Sequence, residues 1–482
     1  MGRPLGLQSL RDFTGGTVTE VVDSLLPANS MRLIQNMDTD FIGALRVRKG
    51  TTAIGDQLQD NKVILGLFNF RDSGSGSNNQ QIAGVNNSGD TQAVLKYNNA
   101  GTWTNISGGT SFTASAKFRF ATFVDYVFIV NSARDAVKSW TGAGATALGT
   151  TNLTSAPVGE FITVFKDRLY IASTATYNDR LFFSSVPDAT TLAITWAIST
   201  DYLDVNPDDG MNITGLANIG SLLLIFKDRA LYRWNGSSTD ADVIVNYGAS
   251  SQEGICVHDG IAYFFNPGGI YGSNGGYPLK LSAPIQRWVD AIPGSYYTSV
   301  SMGADSKNVY ASIGDVTVDS VAYTNVVLVY NLQSQTWTIR TYAEEIKRFA
   351  NYIESDETEN IMIGNDDGDV QRLNFGSTDT GTDIAYRVIS KKLDFGSMAI
   401  VKSFSDVFVF GEKLPGAKTS IRTEESELYS PTDNLLERWW KRLKGIKNRG
   451  RYFILELSGS SRDGQGIFVG WEITDLTDEG YD

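Results

Sequence analysis

A chain of 482 residues with one cysteine and one histidine lacks most of the groups from which metal centres and nucleophilic sites are built. Cys256 alone excludes an intrachain disulfide and any multi-cysteine zinc site. Its apolar neighbours Ile255 and Val257 favour a buried thiol over a reactive one. His258 alone excludes a histidine-rich metal site, and its setting in Val257-His258-Asp259-Gly260 favours a place beside a hairpin turn over a catalytic role. Also missing are a Gly-x-Ser-x-Gly nucleophile elbow, a phosphate loop ending in Gly-Lys-Ser/Thr and a His-Glu-x-x-His helix. No run of about eighteen apolar residues is present to span a bilayer. The start of the chain has no basic segment followed by an apolar one, so neither a membrane anchor nor a signal peptide is expected. What remains is carboxylate chemistry or none.

Glycine is abundant, at 48 residues, and with Asn, Ser, Thr and Asp it interrupts the chain at short intervals, while helix-period apolar patterns are nearly absent between residues 51 and 430. Regular short strands of this kind build sandwiches, barrels or propellers. Internal repetition favours the last. Val164-Phe165-Lys166-Asp167-Arg168-Leu169-Tyr170-Ile171 is echoed by Ile225-Phe226-Lys227-Asp228-Arg229-Ala230-Leu231-Tyr232, as if two hairpins shared one turn design. Looser copies begin at Phe123, Val257 and Gly303, and several are followed by an outer aromatic such as Trp140, Trp234 or Trp337. The expectation is an all-β chain whose residues 51–380 form a β-propeller of six or seven blades, seven preferred, with a pair of two-layer sandwiches as the alternative. Blades bury both faces, so strands such as Leu222 to Phe226 and Val326 to Tyr330 read as continuously apolar.

The run from Gly376 to Asp383 reads as a linker, after which residues 381–482 form a C-terminal β-sandwich-like domain. Within it Arg438, Lys441, Arg442, Lys444, Lys447, Arg449 and Arg451 carry a local charge of +7 with no acidic residue among them. The whole chain is −13, so everything outside that segment sums to −20. This basic segment, 438–451, either docks on an acidic neighbour or contacts nucleic-acid phosphates with Trp439 and Trp440 as stacking platforms, and docking is preferred. Leu435 to Gly445 is read as a short helix. The acidic remainder argues against tight DNA binding and suits a wall that DNA must slide past.

Residues 1–50 form an N-terminal arm, with an ordinary strand and helix that merely close a β domain as the alternative. Asp12, Phe13, Gly15 and Gly16 lead to a Gly-Gly turn, a short helix is expected to open near Pro27 and end at Asn36, and Gly43 turns a hairpin into the basic strand carrying Leu45, Arg46 and Arg48. An arm built on Gly15, Gly16, Pro27, Asn36, Gly43, Leu45, Arg48 and Gly50, ahead of a propeller and a trailing β domain, resembles the tail nozzle or hub proteins of short-tailed bacteriophages, the stopper and packaged-DNA stabilisation group. Gly268-Gly269-Ile270-Tyr271, with Ser282 downstream, is a further echo. The resemblance implies a structural virion protein of the viral tail. It would form a homohexameric ring below the portal or adaptor protein, extend the DNA channel, retain the genome until ejection and anchor tail fibres or spikes, with transient contact to genomic DNA. Asp12, Phe13, Gly15, Gly16, Pro27, Asn36, Leu45, Arg46 and Arg48 are then the assembly contacts, and Arg438 to Arg451 the docking patch. Deleting residues 1–50 would leave a folded propeller unable to assemble.

No enzyme is expected, and neither a cofactor nor a bound metal. Sialidase-like propellers repeat a Ser-x-Asp-x-Gly-x-Thr-Trp box, and Ser88-Gly89-Asp90-Thr91 is a poor imitation. Asn206 to Gly210 and Asn365 to Asp369 read as solvated turns, since neither supplies the bidentate Glu of a calcium loop. The alternative function is a glycan-binding or glycan-cleaving propeller, for which 21 tyrosines and 9 tryptophans provide ample aromatic surface.

Overall fold

Two-residue turns in the left-handed region set the local structure. Val124-Asp125, Lys166-Asp167, Asp259-Gly260 and Asp319-Ser320 have φ values between 43° and 72°, the backbone twist that joins antiparallel strands without splaying them. They connect, among others, Phe118–Phe123 to Tyr126–Asn131 and Asn308–Val318 to Val321–Asn331. The computed structural model describes residues 3–22, 25–41, 43–72, 79–108, 112–144, 146–353, 358–414, 416–423, 427–428, 440–443, 449–462 and 466–480.

Six small sheets stand in a ring, formed by residues 64–113, 118–140, 159–204, 213–245, 255–280 and 346–373. The sector between the fifth and sixth is filled by Ser301–Ala304, Asn308–Val318, Val321–Asn331 and Thr336–Thr341, the first four strands of a nine-stranded sheet. Apolar clusters fill the junctions between neighbouring sectors, from Leu95 and Trp140 between the first two sheets to Ile64 and Met362 where the last meets the first. The chain is therefore a β-propeller with six self-contained blades and a seventh sector shared with the C-terminal domain. Leu223–Lys227 is buried at every position, as a strand sandwiched between blades must be. Thr51–Ala53 supplies the outermost strand of the last blade, pairing Thr51 with Leu373, and so stitches the two ends of the ring together.

The nine-stranded sheet continues from Thr336–Thr341 through Met31–Gln35 to Ile384–Ser390, Ile454–Ser461, Lys418–Arg422 and Glu427–Leu428. A second sheet faces it, centred on Ile467–Gly480, which pairs with Arg3–Leu10, Ala44–Val47, Val401–Ser403 and Asp406–Glu412. Between the two lies a core in which Phe13, Met31, Ile34, Met37, Leu45 and Val47 of the arm meet Tyr386, Val407, Leu455, Phe468 and Trp471. The arm is thus not an appendage: its strands complete both layers of the sandwich.

Several local expectations are corrected. No helix runs from Pro27 to Asn36. Pro27 sits in a turn that its carbonyl closes by accepting from the Ser30 amide, and Met31–Gln35 is a strand with neighbours on both sides, whose ladder bonds outweigh local helical preference. The Lys-Asp-Arg echo does not hold one register. In the first copy Lys166-Asp167 is the turn, whereas in the second Lys227 pairs with Ala230 and the turn moves to Asp228-Arg229. Lys227 is fully buried because its Nζ donates to Asp209 Oδ2 at 2.7 Å and to the Asn206 carbonyl at 3.1 Å, which draws it into the blade. Finally, Trp440–Leu443, expected in a helix, is a strand paired with Asp406–Glu412, and the rest of Leu435 to Gly445 lies outside the described residues.

Candidate functional site

The motif residues of the arm converge on one buried joint between propeller, arm and sandwich. Asn36, at φ 55°, is the bend between Met31–Gln35 and Met37–Phe41, where the chain passes from one sheet to the other. Its Oδ1 accepts from Arg48 Nε and from the Thr341 amide, both at 2.9 Å, while Nδ2 donates to Thr341 Oγ1 at 2.9 Å and to the Ala385 carbonyl at 2.6 Å. Arg48 is 1% exposed and all five of its guanidinium donors are used. Besides Asn36 they reach Asp379 Oδ1 (2.8 Å) and Oδ2 (2.5 Å), the Thr341 carbonyl (2.8 Å) and the Lys49 carbonyl (3.1 Å). The guanidinium also lies 4.2 Å over the Tyr342 ring. Asp379 belongs to the stretch expected as a linker, which this pair pins in place. Beside it a second buried arginine, Arg340, forks onto both oxygens of Asp38 at 2.9 and 3.0 Å. Two glycines permit the close approach: Gly16, at φ 66°, would press a Cβ to 2.7 Å from Thr336, and Gly50 to 1.9 Å from the Thr378 carbonyl.

This placement sorts the expected assembly contacts. Phe13 packs on Phe468 and Trp471, and Asn36, Leu45 and Arg48 are buried, so these side chains hold the chain to itself. Asp12 and Pro27 remain exposed, and Arg46 is half-exposed. Arg46 lines a cleft of about 520 Å³ with Lys49, Lys307 and Arg340. Of the docking patch, Arg438, Trp439, Lys444 and Lys447 lie outside the described residues, and Trp440, Lys441 and Arg442 fall on the strand Trp440–Leu443. Arg449 and Arg451 are exposed, and Arg449 Nε is already 2.8 Å from Glu479 Oε2.

A charge cluster that sequence reasoning missed gathers at the propeller axis. Lys117, Arg119, Glu160, Glu253 and Arg348 all stand within two residues of the first residue of an inner strand, so they share one mouth of the ring. Arg119 Nε and Nη2 reach Glu253 Oε1 at 3.1 and 2.9 Å from the opposite side of the axis, and Lys117 Nζ lies 3.4 Å from Oε2. Arg134 Nη2 pairs with Glu160 Oε1 at 2.5 Å. Burial alone would raise the Glu253 pKa, but Arg119, Lys117 and Arg348 overcome it and hold the carboxyl well below its ordinary value of 4.5. A depressed carboxyl contributes stability that is present above the unfolded value and lost as pH falls below it. Wild type is therefore expected to lose more stability than Glu253→Gln between about pH 5 and pH 3; parallel acid-unfolding curves would contradict this. The available signal in the sequence was a cation inside an apolar strand, Phe118-Arg119-Phe120.

Remaining candidates fall where their chemistry is spent. His258 lies beside the Asp259-Gly260 turn, 3.4 Å from Asp259, and burial pushes the Cys256 thiol up. Asp209 is held by Lys227, and Asp367 accepts from Asn61 and Gln57. No cluster of three or more potential metal ligands occurs among the described residues, and no described helix is long and apolar enough to cross a membrane. Seven tryptophans, Trp103, Trp140, Trp196, Trp234, Trp288, Trp337 and Trp471, are buried in blade or sandwich cores, which removes them as glycan platforms.

No protein-family model matches the chain, and no curated protein matches it. Among solved structures it is similar to YCF48 from Cyanidioschyzon merolae, with a TM-score of 0.41 and 7% identity over 67% of this chain and 98% of that one. A structure described as YCF48 bound to D1 peptide gives 0.40 and 12% over 66% and 95%, and the AfRom2 CNH domain 0.40 and 8% over 68% and 99%. At these TM-scores and identities the similarities carry no argument about what this chain does.

Proposed function

We propose that the chain is a non-enzymatic structural subunit of a short-tailed phage tail, a nozzle or hub that forms a ring below the portal, extends the DNA channel and anchors fibres. The observation that carries this reading is the joint. Gly16, Asn36, Arg48 and Gly50, four of the residues behind the resemblance, lock arm, propeller and sandwich into one body through a sheet of nine strands. A ring subunit that resists the push of a packaged genome needs this stiffness, because a hinge between its domains would yield before its interfaces did. Exposed Val22 and Leu25, at 63% and 72%, precede the Pro27 turn and provide an apolar contact for an adjacent subunit or adaptor. The net charge of −13 favours passage of DNA over its retention on the wall.

Peptide mass spectrometry of purified virions from the source tests the proposal. Near-equal copy numbers of this chain and the portal protein are expected, as in a closed ring of matching symmetry. Absence from the particle would refute it.

A further inference from the structure

Cations are rarely placed in the inner strands of a propeller, where each must be paired or hydrated. Here Lys117, Arg119, Arg134 and Arg348 converge at one mouth of the axis and, in the ion pairs of the described residues, share two carboxylates, Glu160 and Glu253. The neighbouring Lys347 and Glu345 pair with each other and leave this surplus of two positive charges unchanged. Hydrogen bonds to backbone carbonyls orient the cations without neutralising them. Lys117 Nζ donates to Thr298 at 2.9 Å, Arg134 Nε to Ser173 at 2.9 Å, and Arg348 Nε to Leu65 at 3.0 Å. Burial lowers the Lys117 pKa, Glu253 raises it, and Arg348 and Arg119 lower it again, so like charges press on one another in a chain that is acidic overall. Lys117 and Arg134 keep 30% and 32% of their side chains in solvent, which leaves the cluster open at its outer side.

We propose that this mouth is a binding site for a small oxyanion of the phosphate class, free or as a phosphomonoester, held by Lys117 and Arg134 at the opening and by Arg119 and Arg348 behind them. An anion there would relieve the repulsion among the four cations and use donors that a single carboxylate cannot saturate. The inference does not depend on the assembly role proposed above.

Isothermal titration calorimetry of the full chain at constant ionic strength, with inorganic phosphate and separately with glycerol 2-phosphate, tests it. Saturable binding of either probe is expected, and Lys117→Met and Arg134→Met should each weaken it about tenfold. Glu253→Gln, checked for folding by circular dichroism, should shift affinity the other way by about tenfold, since it removes the competing charge. Phosphate should also raise the Tm of that variant more than that of wild type. Binding of phosphate alone marks a site for the free ion, and binding of both probes a site that admits the ester. No saturable heat with either probe, or unchanged affinity in both cation variants, would overturn the proposal.

Discussion

Arg48→Met is expected to cost about 3 to 5 kcal/mol of stability, the range for removing one partner of a buried ion pair. The side chain is 1% exposed and Asp379 8%, so the carboxylate left behind has little access to water. Five donors are lost together, and their acceptors sit on different parts of the chain. Asn36 is in the arm, Thr341 in the shared propeller sector and Asp379 between propeller and sandwich. Arg48→Lys should be nearly as damaging, because an ammonium cannot span both Asp379 oxygens while also meeting Asn36 and Thr341. The double variant Arg48→Met/Asp379→Asn should lose less than the sum of the single losses, since neither change then leaves a buried charge alone. Urea unfolding of wild type, Arg48→Met, Arg48→Lys, Asp379→Asn and the double variant measures all of this. A loss below about 1 kcal/mol for Arg48→Met would mean that the joint behaves like a surface pair.

How far the sequence revealed this arrangement depends on the range of the interaction. Turns were legible because their chemistry is local. The hairpin at Gly43, at φ 80°, pairs Met37–Phe41 with Ala44–Val47, and His258 stands beside its turn as its neighbours indicated. Blades were legible because a strand buried on both faces is apolar throughout, as in Val326 to Tyr330. The register of the second Lys-Asp-Arg copy was not, because Lys227 is recruited by Asp209 from another loop, and the same letters then turn one residue later. Met31–Gln35 misled for a related reason. Nothing within five residues announces that its partners are Ile339 and Val388. The charge cluster was hidden in the same way, since Lys117, Arg119, Glu253 and Arg348 meet only once the ring closes. Motif residues carried the joint, yet spacing alone did not say that Asn36 and Arg48 would face each other rather than a second subunit.

Removal of residues 1–50 separates these two roles of the arm. Six side chains, Phe13, Met31, Ile34, Met37, Leu45 and Val47, leave the sandwich core. At about 1.5 to 3 kcal/mol for each buried side chain, roughly 9 to 18 kcal/mol of burial is lost, as much as a whole domain usually has in reserve. Ile384–Ser390 loses the strand that ties it to the propeller, and Ile467–Gly480 loses Arg3–Leu10 and Ala44–Val47, so two long edges are opened at once. The propeller, by contrast, keeps Thr51–Ala53 and its apolar junctions round the ring. The truncated chain is therefore expected to fold over residues 51–374 and to remain unfolded over 384–480. Limited proteolysis read by mass spectrometry should show rapid cleavage throughout the second region and a surviving fragment of the first, and adding a peptide of residues 1–50 should restore protection. An arm that served only as a contact for neighbouring subunits would leave the truncated chain uncut in both regions. That result would also return Asn36 and Arg48 to the assembly surface and leave their burial without a structural purpose.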